Sequence, residues 1–77
     1  MELMPVQSTN LHAIGYDPGS MALQVQFHNG DVYAYSNVPP DVYSQMLSGD
    51  AGGVFAEIIK PQRATMPYVK MGTLPLA

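Results

Sequence analysis

The dipeptide Asn29-Gly30, set between two strand-like runs, constrains this chain more than any other feature. In residues 21–28, Leu23, Val25 and Phe27 point one way and Gln24, Gln26 and His28 the other. That period of two marks a half-buried strand. Residues 31–37 carry Val32, Tyr33 and Tyr35, side chains that suit a pleated surface. Asn and Gly both tolerate positive φ, so Asn-Gly between such runs signals a β-hairpin. A two-residue turn sets Gln26 opposite Tyr33 and Gln24 opposite Tyr35, which puts both tyrosines on the polar face. A bulged three-residue turn slides the pairing by one, setting Tyr33 opposite Val25 and Tyr35 opposite Leu23 on the apolar face. The type I′ preference of Asn-Gly favours the two-residue turn, and that register is the expectation here.

The rest of the chain supplies partners for the hairpin. Residues 6–16 read as a first strand with Leu11, Ile14 and Tyr16, followed by turn chemistry in Asp17-Pro18-Gly19-Ser20. Val38-Pro39-Pro40-Asp41 opens a helix, because proline fits a first turn and an acid suits the helix dipole. Its apolar stripe is Val42, Tyr43, Met46 and Leu47, and Gly49 ends it. Asp50 is placed to cap a second short helix over residues 51–60, with Phe55, Ile58 and Ile59 as its stripe and Pro61 as its stop. Residues 65–71 read as a last strand. The fold class is α+β: a small antiparallel β-sheet of three to four strands packed against one or two short helices.

With 77 residues the chain has room for one domain, residues 1–77. A chain this short buries only about 60–65% of the surface its unfolded form exposes. Self-association or ligand binding is therefore an expected source of stability. Residues 71–77 are apolar and uncharged, and the expectation is that this tail, part of a C-terminal extension over 61–77, docks across a homo-oligomer interface on a partner subunit.

Net charge is −3, and the whole Lys and Arg supply is Lys60, Arg63 and Lys70. Long polyanions are usually met by a broad basic face; one cationic stretch suits one or two phosphates. There is no cysteine, which excludes disulfides, thiolate nucleophiles and Cys-ligated zinc. No apolar run approaches the ~20 residues that span a bilayer, and the first residues lack a basic n-region. The expected location is cytoplasmic, in a bacterium or a phage-infected bacterial cell. His12 and His28 can meet on adjacent strands with Asp31 as a third zinc ligand, although two surface strand histidines are the simpler reading. No metal and no cofactor are expected. The serines stand in no elbow-like context and the acids show no paired placement, so no catalytic residue is assigned.

Tyr33-x-Tyr35 is the most suggestive pair. Exposed, two tyrosines at i, i+2 make a platform for stacking bases, worth about 1–3 kcal/mol per base. Buried, they are core aromatics whose hydroxyls reach the rim. The order Val6-Gln7-Ser8-Thr9, Ile14-Gly15-Tyr16-Asp17, Leu23-x-Val25-x-Phe27-x-x-Gly30, Tyr33-x-Tyr35-x-x-Val38-Pro39 and Val42-Tyr43 resembles the KTSC domain. The resemblance covers roughly residues 6–60. It departs from the family's usual pattern at Ala51 and Ala56, where Ser and Asn are usual, and at Ile59-Lys60, where Ile-Arg is usual. KTSC domains occur at the C-terminus of some lysyl-tRNA synthetases and as small stand-alone proteins of bacteria and phages. The resemblance implies a binding role, with RNA or tRNA as one suspected partner, and no catalysis. The leading expectation is a non-enzymatic, oligomeric binder of a small nucleotide-type ligand, by analogy with small phage proteins that sequester cyclic nucleotide immune signals. Tyr33, Tyr35 and Tyr16 would stack on bases, Gln24, Gln26 and Asn10 would read base edges or ribose, and Lys60 and Arg63 would neutralise phosphate. An RNA-binding accessory domain and a structural interaction module are the alternatives.

Overall fold

A computed structural model describes residues 3–8, 10–49, 51–59, 61 and 66–73. Five antiparallel strands lie side by side in chain order: β1 (Met4–Pro5), β2 (Leu11–Asp17), β3 (Ala22–Phe27), β4 (Asp31–Tyr35) and β5 (Tyr68–Thr73). Helices α1 (Pro40–Ser48) and α2 (Ala51–Val54), the latter running into a π-helical turn Phe55–Ile59, fall between β4 and β5. The α+β class holds, but the sheet has five strands rather than three to four. The added strand is β1, which pairs Met4 with Ile14 and Pro5 with Ala13; the last strand expected over 65–71 is β5, Tyr68–Thr73, at the other edge. The first long strand starts at Leu11 rather than residue 6, because the Ser8 hydroxyl accepts the amides of Asn10 and Leu11 at 3.2 Å each and turns the chain there.

The hairpin register also corrects the expectation. Val25 pairs with Tyr33 and Leu23 with Tyr35, while Gln24 and Gln26 face Ala34 and Val32. The loop is therefore three residues, His28 to Gly30. Gly30 N–H donates to the Phe27 carbonyl at 2.9 Å, and Gly30 takes φ 96°, the left-handed conformation that closes a bulged turn. The Asn29 side-chain oxygen accepts the Asp31 amide at 3.0 Å and holds the bulge. Tertiary packing decides the matter. This register turns two tyrosines toward the helices, where aromatic rings bury some 150–250 Å² each. The two-residue turn would have offered only Val32 and Ala34 in their place.

The helices cover the face that carries Leu23, Val25 and Tyr35, and Val42, Met46 and Phe55 complete the same core. Val42 and Met46 stand at i, i+4, one stripe of a short amphipathic helix. Pro39 caps α1 without a side-chain hydrogen bond, and Pro40 at its first position has no N–H to leave unsatisfied. The expected single helix over 51–60 is an α-turn that widens into a π-turn, which places Phe55 and Ile59 in the core and buries Gly52 within α2. Asp50 and Lys60 lie outside the described residues.

The link from β4 to α1 is pinned at Val38, which is fully buried. Its N–H donates to the Met21 carbonyl at 2.9 Å, and its carbonyl accepts the Tyr16 hydroxyl. The β2–β3 turn and the start of α1 thereby hold each other in place. Replacing Gly30 with alanine forces a side chain into left-handed backbone, at about 1–2 kcal/mol. The expected fall in melting temperature is about 4–8 °C per kcal/mol for a domain of this size. Thermal unfolding followed by circular dichroism checks this, and an unchanged midpoint would show that the turn does not require Gly30.

Candidate functional site

Alternation along β4 sends Asp31, Tyr33 and Tyr35 to one face, the face carrying Phe27, Val25 and Leu23 on β3. Strand β5 brings a matching set: Thr73 pairs with Asp31, Lys70 with Tyr33 and Tyr68 with Tyr35, with a bulge between the first two pairs. The result is a closed circuit of five aromatic rings. Phe27 meets Tyr33 at 5.5 Å, Tyr33 meets Tyr68 at 5.5 Å, and Tyr68 meets Tyr35 at 5.5 Å. Tyr35 meets Phe55 at 5.4 Å, and Phe55 returns to Phe27 at 5.7 Å. Three of these contacts are edge-to-face, the arrangement ring quadrupoles favour. Together with Asn29 and Asp31, these five rings line an open cleft of about 260 Å³. Tyr35 is buried, Tyr33 is half-buried, and Tyr68 is 44% exposed at the outer wall.

The polar end of the cleft is organised around the Asp31 carboxylate. Thr73 Oγ donates to Oδ1 at 2.7 Å, Asn29 Nδ2 donates to Oδ2 at 3.3 Å, and Lys70 Nζ lies 3.5 Å from Oδ2. The Thr73 hydrogen bond holds the Asp31 carboxyl below its ordinary value; burial opposes it, and the Lys70 charge and the contacts of Lys70 and Asn29 add smaller lowering effects. The group is ionised at neutral pH. Because it ionises at lower pH folded than unfolded, its contacts stabilise the domain at neutral pH and are lost as pH falls through the folded-state value.

The structure separates several residues that the sequence reading grouped. Tyr16 stands away from the cleft. It stacks on Tyr43 at 4.7 Å and 17°, and its hydroxyl is committed to Val38. Burial, and then the charges of Asp17 and Asp41, raise the Tyr16 phenol above its ordinary value, so it stays a donor at neutral pH. Gln24 and Gln26 lie on the opposite face of the sheet from Tyr33 and Tyr35, which corrects the expectation that the four share a surface. Gln26 is buried, and its amide donates to the Gly30 carbonyl at 3.4 Å. Gln24 lines a second hollow of about 300 Å³ with Val32, Met71, Gly72 and Thr73. Asn10 is exposed in the loop before β2 and lines neither cleft. Lys60 and Arg63 lie outside the described residues, so Lys70 is the one Lys or Arg among those described.

His12 and His28 do meet, edge to face at 5.7 Å, but Asp31 turns to the cleft rather than to them. His28 Nε2 lies 2.9 Å from the Ser8 carbonyl, an acceptor that requires the proton on that nitrogen. Among the described residues no three His, Cys, Asp or Glu side chains cluster as metal ligands. No helix among them is long and apolar enough to cross a membrane.

Five cleft residues, Phe27, Asn29, Asp31, Phe55 and Tyr68, escaped assignment as site residues, as did Lys70 and Thr73 beside them. The signal for Tyr68-x-Lys70 is its match to Tyr33-x-Tyr35, but it can be used only once β5 is known to pair with β4.

Residues 7–62 match the family model of the KTSC domain. The chain belongs to the KTSC domain family. An uncharacterized protein of Stutzerimonas stutzeri is 40% identical over 63 residues, covering 80% of this chain and 89% of its own length. A protein of Tsukamurella paurometabola is 38% identical over 61 residues, covering 78% of this chain and 91% of its own. The crystal structure of a KTSC domain protein from Yersinia pestis superposes with a TM-score of 0.82 at 30% identity, over 92% of this chain and 97% of that one. The family match ends at residue 62, so β5 lies beyond it. In this KTSC domain the cleft is built from Phe27, Tyr33, Tyr35 and Phe55 of the matched segment and from Tyr68 of β5.

If Thr73 is the stronger influence on Asp31, Thr73→Val raises the carboxyl pKa more than Lys70→Ala does. Carboxyl carbon chemical shifts followed through a pH titration give both values, and the reverse order would contradict the assignment.

Proposed function

We propose that this KTSC domain is a non-enzymatic binding protein whose aromatic cleft receives one base of a small nucleotide-type ligand. The observation that carries the reading is the five-ring circuit around a cleft with a polar end at Asn29 and Asp31. Apolar walls with a few convergent polar groups are the usual make-up of small-molecule sites. A volume of about 260 Å³ lies just below the ~300–1,000 Å³ common for such sites. It suits a single ring system and leaves sugar and phosphate outside the cleft. A ligand with two or three bases would then be shared between clefts of different copies of the chain, which is how sequestration of a cyclic nucleotide by an oligomer would work. The acidic balance of the chain, with net charge −3, favours such a ligand over a long polyanion.

Calorimetric titration with cyclic di- and trinucleotides is the test. Stacking worth about 1–3 kcal/mol per base predicts that Tyr33→Ala or Tyr68→Ala weakens binding by about 5- to 150-fold. Gln24→Ala, on the opposite face, leaves affinity unchanged. The absence of heat with every nucleotide would end this reading. Tight binding of long RNA with a steep salt dependence would replace it with the RNA-binding alternative.

A further inference from the structure

We infer that the cleft selects guanine among the bases, with Asp31 reading the base edge; this rests on the base-binding reading proposed above. Asp31 stands two residues before Tyr33 on the same face of β4, so its carboxylate closes one end of the aromatic cleft. An ionised carboxylate offers about four acceptor positions and no donor. Thr73 takes one on Oδ1 and Asn29 takes one on Oδ2. Lys70 Nζ, at 3.5 Å from Oδ2, is too distant for a strong hydrogen bond and acts mainly as a neighbouring charge. Oδ1 keeps one position for a further donor, and Oδ2 gains one when the weakly held Lys70 ammonium turns from it onto the ligand; the side chain keeps 23% exposure through which to receive them.

Two adjacent N–H donors on one planar edge are the property of guanine, at N1 and the N2 amino group. Adenine and cytosine present a ring-nitrogen lone pair to the same carboxylate, which is repulsive, and uracil presents a single N–H between two carbonyls. With N1–H on Oδ2 and N2–H on Oδ1, the guanine O6 falls on the Oδ2 flank, where the Lys70 ammonium and the Asn29 amide supply donors. The edge of the base and the end of the cleft thus match in donor and acceptor order. A cationic ligand is disfavoured because Lys70 already neutralises the carboxylate.

Calorimetry of the full chain with GMP, AMP, IMP and XMP, and with tetramethylammonium as a cation probe, tests this. The expected result is GMP bound about 10-fold or more tighter than AMP, as a bidentate base-edge contact gives, with IMP weakened by loss of the N2 amino group. Asp31→Asn is expected to lose GMP affinity and to gain XMP, whose O2 accepts from the new amide where guanine donates. A gain of affinity cannot come from misfolding. Equal affinity for GMP and AMP, unmoved by Asp31→Asn, would overturn guanine selection while leaving the base site standing. Saturable tetramethylammonium binding with no response to any nucleotide would overturn both.

Discussion

The left-handed turn at Gly30 sets the structure that follows. It shifts β4 by one residue against β3, and a shift of one residue exchanges the faces of every side chain on the strand. Tyr33 and Tyr35 thereby leave the glutamine face and join Phe27. From that single choice come the buried Tyr35, the half-buried Tyr33 and the placement of Asp31 at the end of the same ridge. Had Asn29-Gly30 closed a two-residue turn, the tyrosines would lie on the glutamine face and this cleft would not exist.

The second determinant is β5. It covers β4 on the side away from β3 and contributes the outer wall of the cleft through Tyr68. It is also the sheet's edge, with every residue exposed. Lys70 in its middle and the bulge beside Gly72, at φ 141°, are features that blunt pairing at sheet edges. Lys70 therefore serves the strand edge and the Asp31 carboxylate at once. Because β5 lies beyond the segment matched to the KTSC family, the cleft joins a family framework to a wall from outside that segment.

Much of this was readable from the residues. The period of two in Leu23, Val25 and Phe27 and the proline pair before Asp41 carry local physics strong enough to place β3 and α1. The motif order around Tyr33-x-Tyr35 was specific enough to show the family. The register was not readable, because the intrinsic preference of Asn-Gly and the packing demand of two tyrosines point in opposite directions, and only the assembled core weighs them. The site was half readable for the same reason. Tyr33 and Tyr35 stood out, but Asp31 and Asn29 looked like turn residues. Tyr68 lay in a stretch whose partner strand could not be named in advance, while Gln24 and Gln26 were grouped with the tyrosines on a register the chain does not adopt, and Tyr16 stacks on Tyr43 instead.

In the proposed function, the β4–β5 face, and not the glutamine face behind it, meets a base. Intermolecular nuclear Overhauser effects between a bound nucleotide and the isotope-labelled domain measure this directly. Contacts from base protons to the rings of Tyr33, Tyr68 and Phe27 are expected. Contacts to Gln24 and Met71 instead would place the ligand on the opposite side of the sheet and contradict the proposal.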